Sequence, residues 1–355
     1  MKVNKLTLQN YRNIKNTVFI PENKMNVICG ENAQGKTNLI EALWLFTGAK
    51  SFRGNKDFEL VQFNNNTAKL KLYFNSFGTE KEAEIVIDKK RNAYLNGKKL
   101  TSASKFAGEF CAIIFSPDDI MLVNGSPAER RKFLDIAISQ VYPNYISFLR
   151  KYTRAVTQRN ALLKEIKSGN KVNSMLSFFE EEIAQNGEEI IKYRIKYIEL
   201  IKPFLKETYK GISNSREEFD IEYNYSCEKG FLREALIKSR EKDILSCATS
   251  VGPHRDDLSL KINGKSVKEF GSQGQKRSVA LSLKLSQAEV LKSVTGEIPV
   301  ALLDDVMSEL DPSRQEYVLN HINGWQVFIT CCDPSNTKNL NEGKIFSIKN
   351  GRIEE

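Results

Sequence analysis

The sequence predicts an α/β fold that is interrupted by an inserted helical segment. Three observations support this prediction. A short apolar strand leads into a glycine-rich loop near the N-terminus, a second apolar strand ends in two carboxylates near the C-terminus, and helical periodicity dominates a long stretch between them. Because the loop and the carboxylates suit one kind of site but lie far apart in the chain, we infer that an insertion splits the domain that carries them.

The glycine-rich loop occupies residues 30–37 and reads G-x-x-x-x-G-K-T. In such a loop, backbone N–H groups curl around a phosphate, the lysine contacts the β- and γ-phosphate oxygens, and the threonine hydroxyl binds Mg²⁺. Residues 25–29 predict a buried strand before the loop, and residues 37–47 predict a buried helix after it. The chain is therefore expected to bind ATP or GTP. The predicted phosphate-binding residues are Gly30, Glu31, Asn32, Ala33, Gln34, Gly35, Lys36, Thr37 and Asn38.

The composition excludes several other classes of protein. The 355 residues predict two or three compact units, and the 41% of apolar residues suffice for a core. No apolar run approaches the ~18 residues that span a bilayer, and the first residues lack the apolar region of a signal peptide. The six cysteines and two histidines show no spacing typical of a metal site or a disulfide ladder. We therefore expect a cytoplasmic protein with no membrane partner and no metal other than Mg²⁺.

The positive charge of the chain is concentrated in one segment. The net charge is +9, and residues 126–170 contain nine Lys or Arg residues against three acidic ones. Such an excess favours a polyanionic partner. Arg150 and Arg154 are spaced to share a helix face, with Lys151 beside them, so these three are the candidate DNA-binding residues. Contact through charge alone would not depend on DNA sequence, and a solvated helix surface remains the alternative.

A helical region begins at residues 126–129, where Ser-Pro-Ala-Glu is a typical helix start. Apolar residues then recur near helical spacing, and a second helical stretch follows from about 175 to 205, with Pro203 expected to kink or end it. Two long helices joined by one polar turn predict an antiparallel hairpin.

Strand-rich sequence lies on both sides of this helical region, with Asn96-Gly97 and Asn263-Gly264 as hairpin turns. We therefore divide the chain into an N-terminal half of the split domain, an inserted helical arm and a C-terminal half. The predicted bounds are 1–120, 121–215 and 216–355.

The second apolar strand, at residues 299–303, ends in Asp304 and Asp305. In an ATPase with a phosphate loop, such a strand is expected beside the strand that feeds the loop. The first carboxylate then holds Mg²⁺ together with the loop threonine, and the second can polarise the attacking water. The prediction is that Thr37 and Asp304 bind the metal and that Asp305 acts in catalysis.

A third motif, Ser272-Gln273-Gly274-Gln275, precedes a predicted helix from Ser278 to about Leu291. Helix N-termini of this kind present N–H groups and the positive end of the helix dipole to an anion. The order of phosphate loop, Ser-x-Gly-Gln and Leu-Leu-Asp-Asp is that of ABC-type ATPases, in which the serine motif of one protomer caps the γ-phosphate held by the other. We therefore predict an ATP-dependent homodimer with Ser272 and Lys36 as further catalytic residues, and residues 272–275 as part of the nucleotide site.

The whole chain resembles the RecF family of bacterial recombination-mediator ATPases, which are related to SMC heads. Beyond the motifs above, the resemblance is carried by Asn10-Tyr11-Arg12-Asn13, Asn38-Leu39-Ile40-Glu41-Ala42, Ser51-Phe52-Arg53, Phe115-Ser116-Pro117-Asp118-Asp119, Gly125-Ser126-Pro127 with Arg130-Arg131, and Gly252-Pro253-His254-Arg255-Asp256-Asp257-Leu258. It implies an ABC-type, SMC-like ATPase head with a short inserted helical arm, and Arg12 as a phosphate contact. It also implies ATP-dependent dimerisation on DNA, help in loading RecA alongside RecO and RecR, and a part in the SOS response.

Three departures from the wider ABC pattern predict a weak, DNA-dependent ATPase that works as a switch. The segment 115–119 has no glutamine, Asp305 stands where a longer glutamate is usual, and Thr330-Cys331-Cys332-Asp333 stands where many heads carry a histidine. Two alternatives stay open at this point. They are the nucleotide-binding subunit of an ABC transporter and a structural, SMC-like protein that organises DNA.

Overall fold

The computed structural model describes residues 1–54, 56–169, 175–214, 217–332 and 343–354. Contacts within the chain divide it into two compact units. The first unit consists of Met1–Asp119 together with Ala280–Glu355, and the second consists of Ile120–Val279. The second unit reaches further along the chain than the arm predicted over 121–215, and it includes the Ser272-Gln273-Gly274-Gln275 motif. In the described part of the chain, no helix is both long and apolar enough to cross a membrane.

The first unit contains a mostly parallel sheet that carries the phosphate loop. Its strands, in spatial order, are β15 (Arg352–Glu354), β14 (Gly343–Lys349), β3 (Met25–Cys29), β13 (Val327–Cys331), β12 (Val300–Leu303) and β8 (Ala112–Phe115). All are parallel to their neighbours except β15, which forms an antiparallel hairpin with β14. Every residue of β8, β12 and β13 is buried, as is typical of strands in a parallel sheet covered on both faces.

The strand order corrects one prediction. The strand with the two carboxylates, β12, does not lie beside the loop strand β3, because β13 pairs in parallel with both and lies between them. Helix α1 (Lys36–Leu45) follows the loop and is buried along most of its length, as predicted. Helix α10 (Pro312–His321) follows β12 and is capped by Asp311, whose carboxylate accepts a hydrogen bond from the backbone N–H of Arg314.

The first unit also contains an antiparallel sheet. In spatial order its strands are β2 (Ile14–Phe19), β1 (Lys2–Tyr11), β4 (Ala68–Ser76), β5 (Thr79–Ile87), β6 (Arg91–Leu95) and β7 (Lys98–Lys99). Buried residues alternate with more exposed ones along β4 and β5, because one face of the sheet packs on the core. Asn96 and Gly97 both have positive φ in the turn between β6 and β7, which confirms the predicted hairpin.

The second unit consists mainly of helices, with one small antiparallel sheet. The helices are α2 (Met121–Asn124), α3 (Pro127–Val141), α4 (Tyr145–Lys167), α5 (Leu176–Ile212), α6 (Leu232–Lys238), α7 (Arg240–Ser246) and α8 (Val267–Phe270). The sheet has the order β11 (Lys265–Ser266), β10 (Asp257–Ile262), β9 (Phe219–Asn224), with Asn263-Gly264 as the predicted hairpin turn. Helix α9 (Gln273–Thr295) begins in this unit, and its residues from Ala280 onward belong to the first.

Helices α4 and α5 form the antiparallel hairpin that the sequence predicts. Near the turn, Leu163 packs in one cluster with Leu176. Further along, Nε of Arg194 on α5 donates to the hydroxyl of Tyr145 at the opposite end of α4, 3.2 Å away. Helix α5 runs through Pro203 without ending there and continues to Ile212, seven residues beyond the predicted end.

Candidate nucleotide-binding site

The phosphate loop needs its two glycines where they stand. Gly30 and Gly35 have φ of 155° and 115°, in the region that side chains with a Cβ rarely adopt. A Cβ at Gly30 would also lie 2.5 Å from the backbone oxygen of Ile348, and one at Gly35 would lie 2.9 Å from Oδ1 of Asn13. Gly30 is therefore required by both its backbone conformation and its close approach to backbone, and Gly35 mainly by its backbone conformation.

Neighbouring segments hold the loop in place. The side chain of Asn13 donates to the carbonyl of Ala33 at 3.0 Å. On the other side, the backbone N–H of Asn350 donates to Oε1 of Gln34 at 2.6 Å, and the N–H of Gly351 donates to the Gln34 carbonyl at 3.0 Å. The turn between β14 and β15 thus supports the loop from a distant part of the chain.

Lys36 is buried at the start of α1, with 8% of its surface exposed. Its Nζ donates to the backbone carbonyls of Gly30 and Glu31, the latter at 2.8 Å, and lies 3.6 Å from Sγ of Cys332. The ammonium group is thus held inside the loop by carbonyl oxygens. It is in position to exchange those oxygens for phosphate oxygens, as a phosphate-loop lysine must.

Thr37 and Asp304 lie together, as predicted. The hydroxyl of Thr37 donates to Oδ1 of Asp304 at 3.0 Å, and the hydroxyl of Thr330 donates to the same oxygen at 2.9 Å. Burial raises the pKa of the Asp304 carboxyl above its ordinary value, although these two hydrogen bonds and the charge of Arg53 oppose the rise. The site therefore holds a carboxylate that is poorly solvated and would be stabilised by a nearby cation.

The donor atoms fit Mg²⁺. Hydroxyl and carboxylate oxygens are the ligands that this hard cation prefers, and it is commonly held by one carboxylate together with phosphates and water. Thr37 and Asp304 are the residues that would hold it. No group of three or more His, Cys, Asp or Glu side chains within the described ranges is arranged as a complete metal site, so the remaining ligands would come from the nucleotide and water.

Asp305 follows directly and adopts a left-handed conformation with φ of 52°. Its backbone N–H donates to the hydroxyl of Thr330 at 2.9 Å, and its carboxylate is exposed, 3.5 Å from the hydroxyl of Ser308. Thr330 therefore contacts both acidic residues and fixes one relative to the other. Of the predicted 330–333 segment, Asp333 lies outside the described residues.

Several of these residues line one cleft with a volume of about 320 Å³, entirely within the first unit. Asp304 is not among them, but its carboxylate contacts two of them, Thr37 and Thr330. The lining residues are Asn13, Asn32, Ala33, Gly35, Lys36, Thr37, Asn38, Arg53, Asp305 and Thr330. Asn13 and Arg53 were not among the predicted site residues. They are joined to the loop through Asn38, whose side chain donates to Asn13 at 2.8 Å and accepts from Arg53 at 2.9 Å. Both belong to motifs that carry the family resemblance, which is the signal that could have identified them.

Arg12 is not among the residues that line this cleft. Its guanidinium forms a two-pronged ion pair with Glu41 on α1, with Nε and Nη2 each 2.9 Å from a carboxylate oxygen. Burial favours the neutral acid, yet the hydrogen bonds from Arg12 and Ser51 outweigh it and hold the pKa of Glu41 below its ordinary value. In this structure Arg12 joins β1 to α1, and its predicted contact with phosphate stays a prediction.

The Ser272-to-Gln275 motif lies in the second unit, at the start of α9. The backbone N–H of Ser272 donates to Oε1 of Gln275 at 2.7 Å, and the N–H of Gln275 donates to the Ser272 hydroxyl at 3.2 Å. This reciprocal cap fixes the loop. Ser272 and Gln273 are exposed and Gly274 is half-buried, so the loop is accessible to an anion.

The candidate DNA-binding residues Arg150, Lys151 and Arg154 are exposed on α4. The basic segment as a whole is less available than its sequence suggests. Arg159 is completely buried, with ion pairs to Asp243 at 2.7 Å and Glu180 at 3.2 Å. Arg130 is buried too and pairs with Asp257. Two of the nine basic residues of this segment thus stabilise the fold.

The chain matches known proteins along nearly its entire length. The model of the RecF/RecN/SMC N-terminal domain matches residues 2–353. The DNA replication and repair protein RecF of Clostridium perfringens is 39% identical over 363 residues, which cover all of both chains. A solved structure of the recombination mediator protein RecF with ATP, described as part of the RecFOR pathway, is 38% identical with a TM-score of 0.92, over 99% of this chain and 97% of that one.

More distant structures show the fold alone. The Smc head domain of Pyrococcus furiosus is 16% identical, with a TM-score of 0.56 over 100% of this chain and 96% of that one. The split domain is thus the ABC-type head that RecF and SMC proteins share. Matches of 37–39% identity along the entire length decide the family within that group. The chain belongs to the RecF family of DNA replication and repair proteins.

Proposed function

We propose that this protein is an ATP-controlled, sequence-independent DNA-binding protein of recombinational repair and replication. The observation that carries the proposal is the hydrogen bond of 3.0 Å from the Thr37 hydroxyl to Oδ1 of Asp304, at the edge of the cleft that Thr37 and the buried Lys36 line. These are the groups that a phosphate-loop ATPase needs at one place, and they occur in a chain that matches RecF from end to end.

ATP is the proposed nucleotide, as in the similar RecF structure with ATP. The loop supplies N–H groups, and Lys36 exchanges its carbonyl partners for the β- and γ-phosphate oxygens. Mg²⁺ held by Thr37 and Asp304 would neutralise phosphate charge. Asp305 is the proposed group that orients the attacking water, since its carboxylate is exposed and its backbone is fixed by Thr330.

Hydrolysis is proposed to be weak, stimulated by DNA, and used as a switch. The aspartate at 305 is one methylene shorter than the glutamate usual at this position, so its carboxylate reaches less far into the cleft. ATP binding would join two protomers, with Ser272, Gln273, Gly274 and Gln275 of one protomer capping the γ-phosphate held by the other. Hydrolysis would remove that phosphate and release the dimer.

DNA is proposed to bind to the exposed face of α4 that carries Arg150, Lys151 and Arg154. Contact of three cations with three phosphates gives a slope of about −3 in the logarithm of affinity against the logarithm of salt concentration.

The gap regions where single- and double-stranded DNA meet are the proposed targets. RecR and RecO are the proposed partners, RecA loading is the proposed outcome, and the cytoplasm is the proposed location.

The test is DNA binding by the purified protein at fixed salt, measured without nucleotide, with ATP, and for Lys36→Met with ATP. Tight binding by the wild-type protein only with ATP would support the proposal, because the nucleotide would then create the DNA-binding form. Equal binding in all three cases would refute ATP control of DNA binding. Compaction of DNA without any effect on RecA loading would favour the structural, DNA-organising alternative.

The contribution of α4 is tested separately by changing Arg150, Lys151 and Arg154 to Glu. Lys89, Lys98 and Lys99 are exposed in the first unit, and their reversal to Glu makes a control with the same net charge. We expect the α4 variant to lose DNA affinity and salt dependence while the control keeps most of both. Equal effects would assign the binding to net charge and not to this helix.

A further inference from the structure

Gln275, the last residue of the serine motif, uses both ends of its side-chain amide. Oε1 accepts the backbone N–H of Ser272 at 2.7 Å, and Nε2 donates to Oε1 of Glu217 at 2.6 Å. A carboxylate can only accept, so the bond to Glu217 fixes which end of the amide faces Ser272. The cap that shapes the serine loop therefore depends on a residue far from it in the sequence.

Glu217 is anchored at its other oxygen. Oε2 accepts the hydroxyl of Tyr209 on α5 at 2.5 Å, and Tyr209 is 1% exposed, with its ring 5.2 Å from that of Phe219. The next residue, Glu218, which lies just before β9, also pairs with Lys206 on α5 at 3.6 Å. Glu217 thus occupies a fixed position between the longest helix of the second unit and the serine loop.

We propose that Glu217 is a positioning residue for recognition of the γ-phosphate. It acts through Gln275, holding the amide that caps the loop so that the Ser272 hydroxyl hydrogen remains available to an incoming phosphate oxygen. The contact through Tyr209 also couples the loop to α5, which packs along the helix that carries the candidate DNA-binding residues. This inference rests on the proposed function, in which the loop of one protomer closes on the nucleotide of the other.

The first test compares Glu217→Ala with Glu218→Ala as the matched control. Glu218 is the adjacent carboxylate and is exposed, with an ion pair to an exposed lysine, Lys206. For Glu217→Ala we expect ATP-dependent dimerisation to weaken by about tenfold, as for the loss of one hydrogen bond to a charged group, with ATP affinity of the monomer unchanged. The control should dimerise like the wild-type protein. Dimerisation of Glu217→Ala equal to that of the control would overturn the proposal.

A double-mutant cycle with Ser272→Ala separates positioning from a general loss of stability. If Glu217 acts by placing the serine loop, Glu217→Ala should have little further effect on dimerisation once the Ser272 hydroxyl is gone. If the fold-changes that the two substitutions cause in the dimerisation constant multiply in the double variant, Glu217 acts independently of Ser272, which contradicts the proposal. Thermal unfolding without nucleotide, compared with the control, shows how much of any change is loss of fold.

Hydrogen exchange without nucleotide gives a readout that does not need dimerisation. We expect the amides of Ser272 and Gln275 to exchange several-fold faster in Glu217→Ala and to be unchanged in Glu218→Ala. Unchanged exchange in Glu217→Ala would refute the positioning role. A wild-type protein that fails to dimerise with ATP would instead refute the proposed function, and the exchange data would still decide whether Glu217 holds the loop.

Discussion

Replacing Glu41 by glutamine removes one partner from a buried ion pair next to the nucleotide site. The Glu41 carboxylate is 0% exposed and accepts hydrogen bonds from Nε and Nη2 of Arg12, from the hydroxyl of Tyr11 at 2.8 Å and from the hydroxyl of Ser51 at 2.5 Å. Glutamine has nearly the same size but only one acceptor oxygen. Each carboxylate oxygen accepts an N–H group of Arg12, so in either orientation the amide NH₂ of glutamine would face an arginine N–H that cannot accept a hydrogen bond.

The expected cost is about 3 kcal/mol in the free energy of unfolding. Removal of one partner from a buried ion pair typically costs about 3–5 kcal/mol, because the other charge remains buried and unpaired. The lower end applies here for two reasons. The side chain of Arg12 is 14% exposed to water, and its Nη1 keeps a hydrogen bond to the carbonyl of Glu59 at 3.3 Å.

Tryptophan fluorescence during urea unfolding is a suitable assay. Both tryptophans of the chain, Trp44 and Trp325, are buried in the first unit, so their emission reports the unfolding of that unit alone. With a dependence on urea of about 3 kcal/mol per M, the midpoint should fall by roughly 1 M. Glu82→Gln is the control, since Glu82 pairs with Lys71 at a partly exposed site, where an ion pair contributes about 1 kcal/mol at most.

The pH dependence provides a second check on the same variant. The folded pKa of Glu41 is lower than that of the unfolded chain, which is about 4.3. Its stabilisation is therefore complete above that value and is lost as the pH falls through the folded pKa. The difference in midpoint between wild type and Glu41→Gln should shrink on acidification below about pH 4. A difference no larger than that of Glu82→Gln at neutral pH would refute the reasoning.

Two more predictions concern single hydrogen-bonding side chains. Thr330→Val removes the hydroxyl that orients both Asp304 and Asp305. We therefore expect the rate of ATP hydrolysis, measured over a range of Mg²⁺ concentrations, to fall about tenfold. Thr330→Ser keeps the hydroxyl and should keep most of the activity. His254 accepts the hydroxyl of Tyr152 and donates to the carbonyl of Thr249, and burial together with nearby arginines lowers its pKa. The folded protein should therefore lose stability as the pH falls below about 6.5, where the unfolded chain binds the proton more readily. Circular dichroism should show a smaller loss for His254→Gln, and an equal loss would mean that another group titrates.

Local signals in the sequence predicted the parts of the site that depend on local structure. The strand β3, the loop and α1 follow one another in the chain, and their apolar patterns were sufficient to predict them. The two Asn-Gly turns were predicted for the same reason, since their backbone conformation depends on the two residues themselves. The contact between Thr37 and Asp304 was also predicted, but from the joint chemistry of the two motifs.

The parts that sequence reasoning missed are properties of tertiary structure. Nothing in the apolar run of β12 indicates that β13 lies between it and β3, because strand order depends on the path of the connections. The basic segment shows the same limit for charge. Arg159 and Arg154 look alike in the sequence, but Arg159 is buried against Asp243 and Arg154 is exposed. A count of charges in the sequence cannot distinguish arginines that form buried ion pairs from arginines that are exposed on the surface.

The sheet topology also shows why the loop motif is not a site by itself. The strand that carries the loop, β3, has β13 on one side and β14 on the other, and both come from the last tenth of the chain. The same region supplies Ile348, which packs on Gly30, and the turn that holds Gln34. The complete motif is present by Thr37, but the structure that gives it shape is formed only when the end of the chain has joined the sheet. What the site requires is therefore that β3, from the first part of the chain, pairs with β13 and β14, from its last part, within one sheet.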